Sequence, residues 1–239
     1  MNHINQSLAL VNLYHIKHPD KRVYLTYSGG KDSTALLGLY LKALEQGLVT
    51  TEQFAVVHSN TTMEMPFMDS LVLRVKSMVE GFGLVFHLLT PPVEQRFYYN
   101  VIGRGVSIPN RSFRWCTDKL KIRPINKLLK GLPNAITATG ERMGESRSRD
   151  LKLSGCGSDE CGLKEQSKVF SDVLRPILNW STCQVWDYLF ELDNSGTLPK
   201  VFEYLSEIYS INEKTNGSLR TGCIGCPLIA KDKSLNYYF

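Results

Sequence analysis

The sequence has no long apolar run. Its longest, Ala35–Leu41, spans seven residues, whereas a membrane helix needs about 20. The opening MNHINQSLALVNLYHIKHPD has no positive stretch followed by a continuous apolar one, so no secretory signal is expected. We therefore expect a cytoplasmic protein with no membrane partner. There is no Pro/Gly/Ser-rich linker and no internal repeat, which argues against a string of modules or a solenoid. We expect one domain over residues 1–239, with a small cysteine-containing segment at about 180–239. Neither a Walker A motif nor GxGxxG occurs, so the usual phosphate loop of P-loop NTPases and the dinucleotide fingerprint are both excluded. With 43% apolar and 21% charged residues, the chain is not of the disordered class. At 239 residues it can bury about 70–75% of its unfolded surface without staples.

What is present is an alternation of strand and helix signals. Short β-rich runs stand at Val23–Tyr27, Gln53–Ser59, Leu84–Leu89 and Ala135–Thr139, with a fifth at Val169–Leu178. Helical patterns fill Asp32–Gln46, Pro66–Phe82, 93–103, 117–130, Thr182–Leu192 and Val201–Tyr209. Such alternation with short connections predicts an α/β fold, a parallel sheet with helices on both faces. Ligands of such sheets sit beyond the C-terminal strand edge. Chemistry is therefore expected in Ser28–Ser33, Asn60–Glu64 and Gly140–Arg149, which follow the first, second and fourth strands.

Ser28-Gly29-Gly30-Lys31-Asp32-Ser33 joins the first strand to a helix. Two glycines permit positive φ and close approach of backbone to ligand. The helix N-terminus supplies an anion nest, and two hydroxyls and a lysine add donors. This loop resembles the PP-loop of the adenine-nucleotide α-hydrolase superfamily, which includes N-type ATP pyrophosphatases and the phosphoadenylyl-sulfate (PAPS) reductases. The resemblance implies a Rossmann-like parallel sheet and a loop that holds the β- and γ-phosphates of ATP. With Mg²⁺ assisting departure of pyrophosphate, AMP would be the other product.

The segment Gly140-Glu-Arg142-Met-Gly-Glu-Ser146-Arg147-Ser-Arg149 has three arginines and a serine suited to polyanions. It resembles the Gly–Arg–Ser–Arg segment of the PAPS reductase-like branch. The resemblance makes Ser28, Gly29, Gly30, Lys31, Asp32, Ser33, His58, Gly140, Arg142 and Arg147 the ATP contacts. It makes Lys31, Asp32, Cys116, Arg142 and Arg149 the catalytic set.

Residues 111–131 hold seven Lys/Arg and one Asp, a net +6 against +5 for the whole chain. A solvated helix face would carry the same charge, as would a nucleic-acid surface. Cys116 lies inside this run, where neighbouring cations favour the thiolate. The other cysteines are at 156, 161, 183, 223 and 226. In a cytosolic chain they point to metal, cluster or sulfur chemistry rather than disulfides. Gly222-Cys223-Ile-Gly-Cys226-Pro227 is a CxxC pair, for which Cys116 is a third ligand and Cys156 or Cys161 a candidate fourth. A [4Fe–4S] cluster, zinc and free thiols all fit this composition. Glu160-Cys161-Gly162 imitates the reductases' C-terminal motif but lies mid-chain, and Cys183 is expected in the core.

In combination these motifs resemble the ATP pyrophosphatases of DNA phosphorothioation systems (the DndC and SspD type). The resemblance implies adenylylation of a DNA backbone phosphate by ATP, then sulfur incorporation. It also implies DNA, met directly or through partner proteins, and a cysteine desulfurase as sulfur donor. A PAPS or adenylyl-sulfate reductase, a tRNA thiolation enzyme and a non-catalytic nucleotide-binding subunit are the alternatives.

Overall fold

The computed structural model describes residues 2–110, 112–132, 134–144, 172–214, 222–224, 226 and 228, excepting the side chains of 210–214. Five parallel strands form one sheet: β1 (Arg22–Thr26), β2 (Phe54–Ser59), β3 (Phe86–Leu89), β4 (Ala135–Ala138) and β5 (Val173–Leu174). Their order is β3-β2-β1-β4-β5. Val23 pairs with Phe54 on one side and Ile136 on the other, which makes β1 central.

The first four strands stand where the β-rich runs predict them. The fifth is shorter than expected. Pro176 has no N–H to donate, and the chain turns at once, with the Leu178 N–H donating to the Arg175 carbonyl at 3.2 Å. Residues 169–171 lie outside the described residues.

The helices are α1 (Asn2–Lys17), α2 (Lys31–Glu45), α3 (Pro66–Gly81), α4 (Arg123–Lys130), α5 (Thr182–Asn194) and α6 (Val201–Lys214). α3 starts on a proline, whose missing N–H costs nothing in a first turn. α5 starts with a capping box between Ser181 and Gln184. α4 continues from a turn at Trp115–Thr117 and a π-helical stretch at Asp118–Ile122. The helix expected over 93–103 is instead a 3₁₀ turn, Val93–Gln95, and a π turn, Tyr99–Gly103.

The sequence reading assigns nothing to α1. Its buried face of Ile4, Leu8, Val11 and Tyr14 has helical spacing and joins the main core. Trp180 pins it, donating its indole N–H to Ser7 Oγ at 2.9 Å, while Ser7 Oγ donates to the Pro176 carbonyl at 2.7 Å.

The two faces of the sheet are covered unequally. Val23, Leu25, Phe54, Val56, Ile136 and Ala138 lie in the large core with α1, α2, α3, α5 and α6. Tyr24, Ala55 and Val57, the alternate residues, pack with Leu129 and Ile125 of α4. Gly38 of α2 lets Leu192 of α5 come closer than any Cβ would allow. No helix among the described residues is long and apolar enough to cross a membrane.

Candidate nucleotide site

From β1 the chain proceeds outward to β2 and β3, and later returns to the other side at β4. The loops after β1 and β4 therefore diverge, which opens a crevice at the strands' C-terminal edge. A cleft of about 350 Å³ occupies this point. Thr26, Tyr27, Ser28, Gly30, Asp32 and Ser33 form its floor. Thr139, Gly140 and Glu141 form one wall, and Val57, Ser59, Lys121 and Ile125 the other. Tyr209 of α6 closes the remaining side.

The floor is tightly tied. The Ser28 N–H donates to Ser33 Oγ at 3.2 Å, the Ser28 and Ser33 hydroxyls are 3.0 Å apart, and Ser33 Oγ donates to the Gly30 carbonyl at 2.9 Å. Gly29 has φ +78° and lies so close to Met68 that a Cβ would collide with it. α2 begins without a side-chain cap. An anion at the cleft floor would meet the positive end of the helix dipole there. Gly140 presses on the same turn: a Cβ would lie 2.7 Å from the Asp32 carbonyl oxygen and 2.9 Å from the Ser33 nitrogen.

Several charged residues are committed within the protein. Asp32 accepts from Lys31 Nζ at 2.8 Å and from Arg142 Nε at 2.5 Å. Lys31 also stands 5.5 Å from the ring centre of Tyr209, and it lies outside the cleft lining. Arg142 is buried; its other nitrogens donate to the Trp180 carbonyl at 3.0 Å and to Thr182 Oγ1 at 3.4 Å. It thus fixes Asp32 and the entry to α5 rather than facing the cleft. Glu141 accepts from buried Arg175 at 2.8 Å, a pair the sequence reading does not single out. Arg147 and Arg149 lie outside the described residues.

His58 is buried just below the strand edge. Its Nδ1 donates to the Tyr27 carbonyl at 2.9 Å, while Nε2 has no partner. Burial holds its pKa below the usual imidazole value, against the pull of that bond and of Glu64. It does not line the cleft, although its neighbours Val57 and Ser59 do.

The loop after β2 folds around Glu64, whose carboxylate accepts from the Thr61 N–H at 3.0 Å and from Thr61 Oγ1 at 2.7 Å. Onto this loop docks the segment around Cys223. Glu64 and Cys223 form an isolated antiparallel bridge, and the Ile224 N–H donates to the Met63 carbonyl at 2.6 Å. Cys223 Sγ lies 3.6 Å from Thr61 Oγ1. Burial raises its pKa, with Lys121 and the Thr61 hydroxyl opposing, so the thiol form prevails.

Among the described residues no three His, Cys, Asp or Glu side chains are gathered to hold a metal ion. Cys116, Cys223 and Cys226 are all free and half-buried. Cys156 and Cys161 lie outside the described residues. Cys183 is exposed, not in the core. The buried stripe of α5 runs through Val185, Tyr188, Leu189 and Leu192 and leaves Cys183 on the other side.

The sequence reading misses Tyr209 and Ile125 as cleft walls, whereas Glu141 falls in the expected Gly140–Arg149 segment and Lys121 in the basic run.

Residues 22–195 match the family described as the phosphoadenosine phosphosulfate reductase domain. An uncharacterized protein of Methanocaldococcus jannaschii is 28% identical over 209 residues, covering 87% of this chain and 36% of that protein. The chain thus spans about a third of the length of this curated relative. Among solved structures, the PAPS reductase of Candida auris in its phosphate complex superposes with a TM-score of 0.56 at 14% identity, covering 83% of this chain and 84% of the other. The U34-tRNA thiolase NcsA of Methanococcus maripaludis, solved with its [4Fe–4S] cluster, gives a TM-score of 0.52 at 15% identity, with coverages of 89% and 74%. At these identities the structures establish the shared fold.

Proposed function

The chain belongs to the phosphoadenosine phosphosulfate reductase domain family, and from that premise we propose that it is an ATP pyrophosphatase that activates a phosphate for sulfur transfer. The observation that carries this reading is the Ser28–Ser33 loop, folded at the switch point of a parallel sheet beneath the uncapped N-terminus of α2. ATP enters as its Mg²⁺ complex. The loop amides, the Ser28 and Ser33 hydroxyls and the helix dipole receive the β- and γ-phosphates. They then stabilise the charge that develops on departing pyrophosphate. Asp32 and Glu141 are the carboxylates at the cleft. Arg142 and Arg175 hold them in place and act as positioning residues.

The acceptor we assign is a non-bridging oxygen of a DNA backbone phosphate. It attacks the α-phosphorus, pyrophosphate leaves, and a phosphate–AMP anhydride forms. A sulfur nucleophile then attacks the acceptor phosphorus and AMP departs with the oxygen, leaving a phosphorothioate. A cysteine desulfurase is the class of donor that would bring the sulfur as a persulfide, and a thiol must then reduce the S–S bond that the transfer leaves. The exposed cations Arg114, Lys121, Arg123, Lys127 and Lys130 support a polyanionic acceptor. The family name itself favours a second reading, reduction of a sulfonucleotide, which consumes no ATP.

The test is product analysis after anaerobic incubation with Mg²⁺ and ATP, alone and with DNA or tRNA, beside a parallel incubation with PAPS and a thiol. AMP and pyrophosphate, increased by DNA, are expected. Sulfite from PAPS with no AMP formed from ATP would replace this reading by the second.

A further inference from the structure

Between β3 and the turn at Trp115 the chain leaves the sheet and builds a small lobe whose inside is ordered and whose outside is unusually apolar. Inside, fully buried Asn100 donates to the carbonyls of Glu94 at 3.1 Å and Arg96 at 2.8 Å, and its Oδ1 accepts from Lys119 Nζ at 2.7 Å. Trp115 donates its indole N–H to the Ser107 carbonyl at 2.9 Å. Phe97 stacks on Trp115 at 5.6 Å and 17°. Outside stand Tyr98, Tyr99, Ile102, Ile108 and Phe113, with Ile102 78% and Tyr98 58% exposed. Such a concentration of exposed large side chains marks a binding surface.

Two observations say what this surface fits. The first is charge. From Val93 to Arg123 the sequence has seven Lys/Arg and only two acids, Glu94 and Asp118. Asp118 is already paired with Arg123 at 2.7 Å, and Arg104 and Arg114 are exposed. The second is continuity with the cleft. Trp115 of the lobe and Lys121 of the cleft wall belong to one continuous helical stretch. Ser59 Oγ clamps that stretch to the end of β2 by donating to the Leu120 carbonyl at 2.7 Å. Aromatic faces interleaved with cations are the chemistry that takes unpaired bases by stacking and their backbone by charge. A duplex would engage the cations but hide its base faces from the tyrosines.

We propose that the lobe between β3 and Trp115 is a stacking platform for single-stranded nucleic acid, which leads a backbone phosphate past Lys121 to the mouth of the cleft. The platform deepens the reading of the cleft as an adenylylating site and rests on it for the fate of that phosphate. Binding to the platform does not depend on it.

The experiment measures fluorescence anisotropy of the full chain with labelled 12-nucleotide single-stranded DNA, RNA of the same sequence, and the blunt DNA duplex, at fixed salt. One of the single strands is expected to bind at least tenfold more tightly than the duplex, and the tighter of the two identifies the acceptor. The Tyr98→Ala, Tyr99→Ala, Phe113→Ala triple variant is expected to weaken that binding at least tenfold with an unchanged melting temperature. Tyr98→Phe, which keeps the ring, is expected to bind as the parent does. Duplex binding as tight as single-strand binding, or a folded triple variant that binds like the parent, overturns the platform. Gly140→Ala, whose added methyl would press on the phosphate loop, separates the two ideas: it is expected to lose AMP formation while keeping oligonucleotide binding. Absence of AMP formation in the parent, with platform binding intact, removes only the adenylylation reading.

Discussion

At the scale of single residues, the site depends on groups that hold the phosphate loop in shape. Gly140 is the clearest case. A methyl group there would press on the Asp32 carbonyl and the Ser33 amide, which cannot move without distorting the loop. Gly140→Ala should therefore lower ATP turnover at least tenfold while the protein remains folded, as read by AMP release beside circular dichroism. Arg142→Leu should do more, because it leaves Asp32 without its closest partner in a largely buried place. Breaking one side of such a pair costs about 3–5 kcal/mol. The lower end is expected, since Lys31 still contacts Asp32, and urea denaturation measures it. His15 makes the fold sensitive to acid. It is 2% exposed with no partner for either ring nitrogen, and burial pushes its pKa down to about 4 from 6.5. Between those values the unfolded chain binds the proton and the folded chain does not. Stability is thus full above pH 6.5 and falls as pH drops toward 4. His15→Leu should flatten this part of a plot of melting temperature against pH.

At the scale of elements, strands and phosphate loop were legible because local chemistry determines them. β-branched runs end at turn residues, and Ser-Gly-Gly-Lys-Asp-Ser has a composition that few other structures need. What was not legible came from tertiary context. α1 carries a helical apolar face, but its place is decided by Trp180 and Ser7, far apart in the chain. Trp180→Phe removes that hydrogen bond together with part of a buried ring packed on His3 and Tyr188, and should cost more than the about 1 kcal/mol of a hydrogen bond alone, that is, more than about 2–4 °C of melting temperature for a chain of this size. The basic run was visible as charge, yet nothing in its spacing says that Lys121 meets the cleft while Lys119 is tied to Asn100. The CxxC pair suggested a ligand set. Nothing in it says that Cys223 bridges to Glu64 and lies against Thr61, a docking of strand-like backbones that no ligand motif encodes.

At the scale of the whole molecule, the layers assign different tasks to the two sides of the sheet. The face under α1, α2, α3, α5 and α6 holds most of the core and carries stability. The face under α4 is thin and carries the cations that would meet an acceptor. Charge reversal on that thin side, such as Lys127→Glu with Lys130→Glu, should leave the melting temperature within a few degrees. It should weaken nucleic-acid binding and reduce its salt dependence, as a titration at several salt concentrations would reveal.

The docking of the Cys223 segment on the loop after β2, together with the Tyr209 wall, has a consequence for how the protein is made. The ribosome releases the phosphate loop early and these closing pieces last among the described residues. A nascent chain can therefore own a finished anion nest long before it owns a finished cleft. Nucleotide retention by ribosome-bound chains of increasing length would appear only once α6 has emerged, and the bound nucleotide would thereby report that the cleft's last wall is in place.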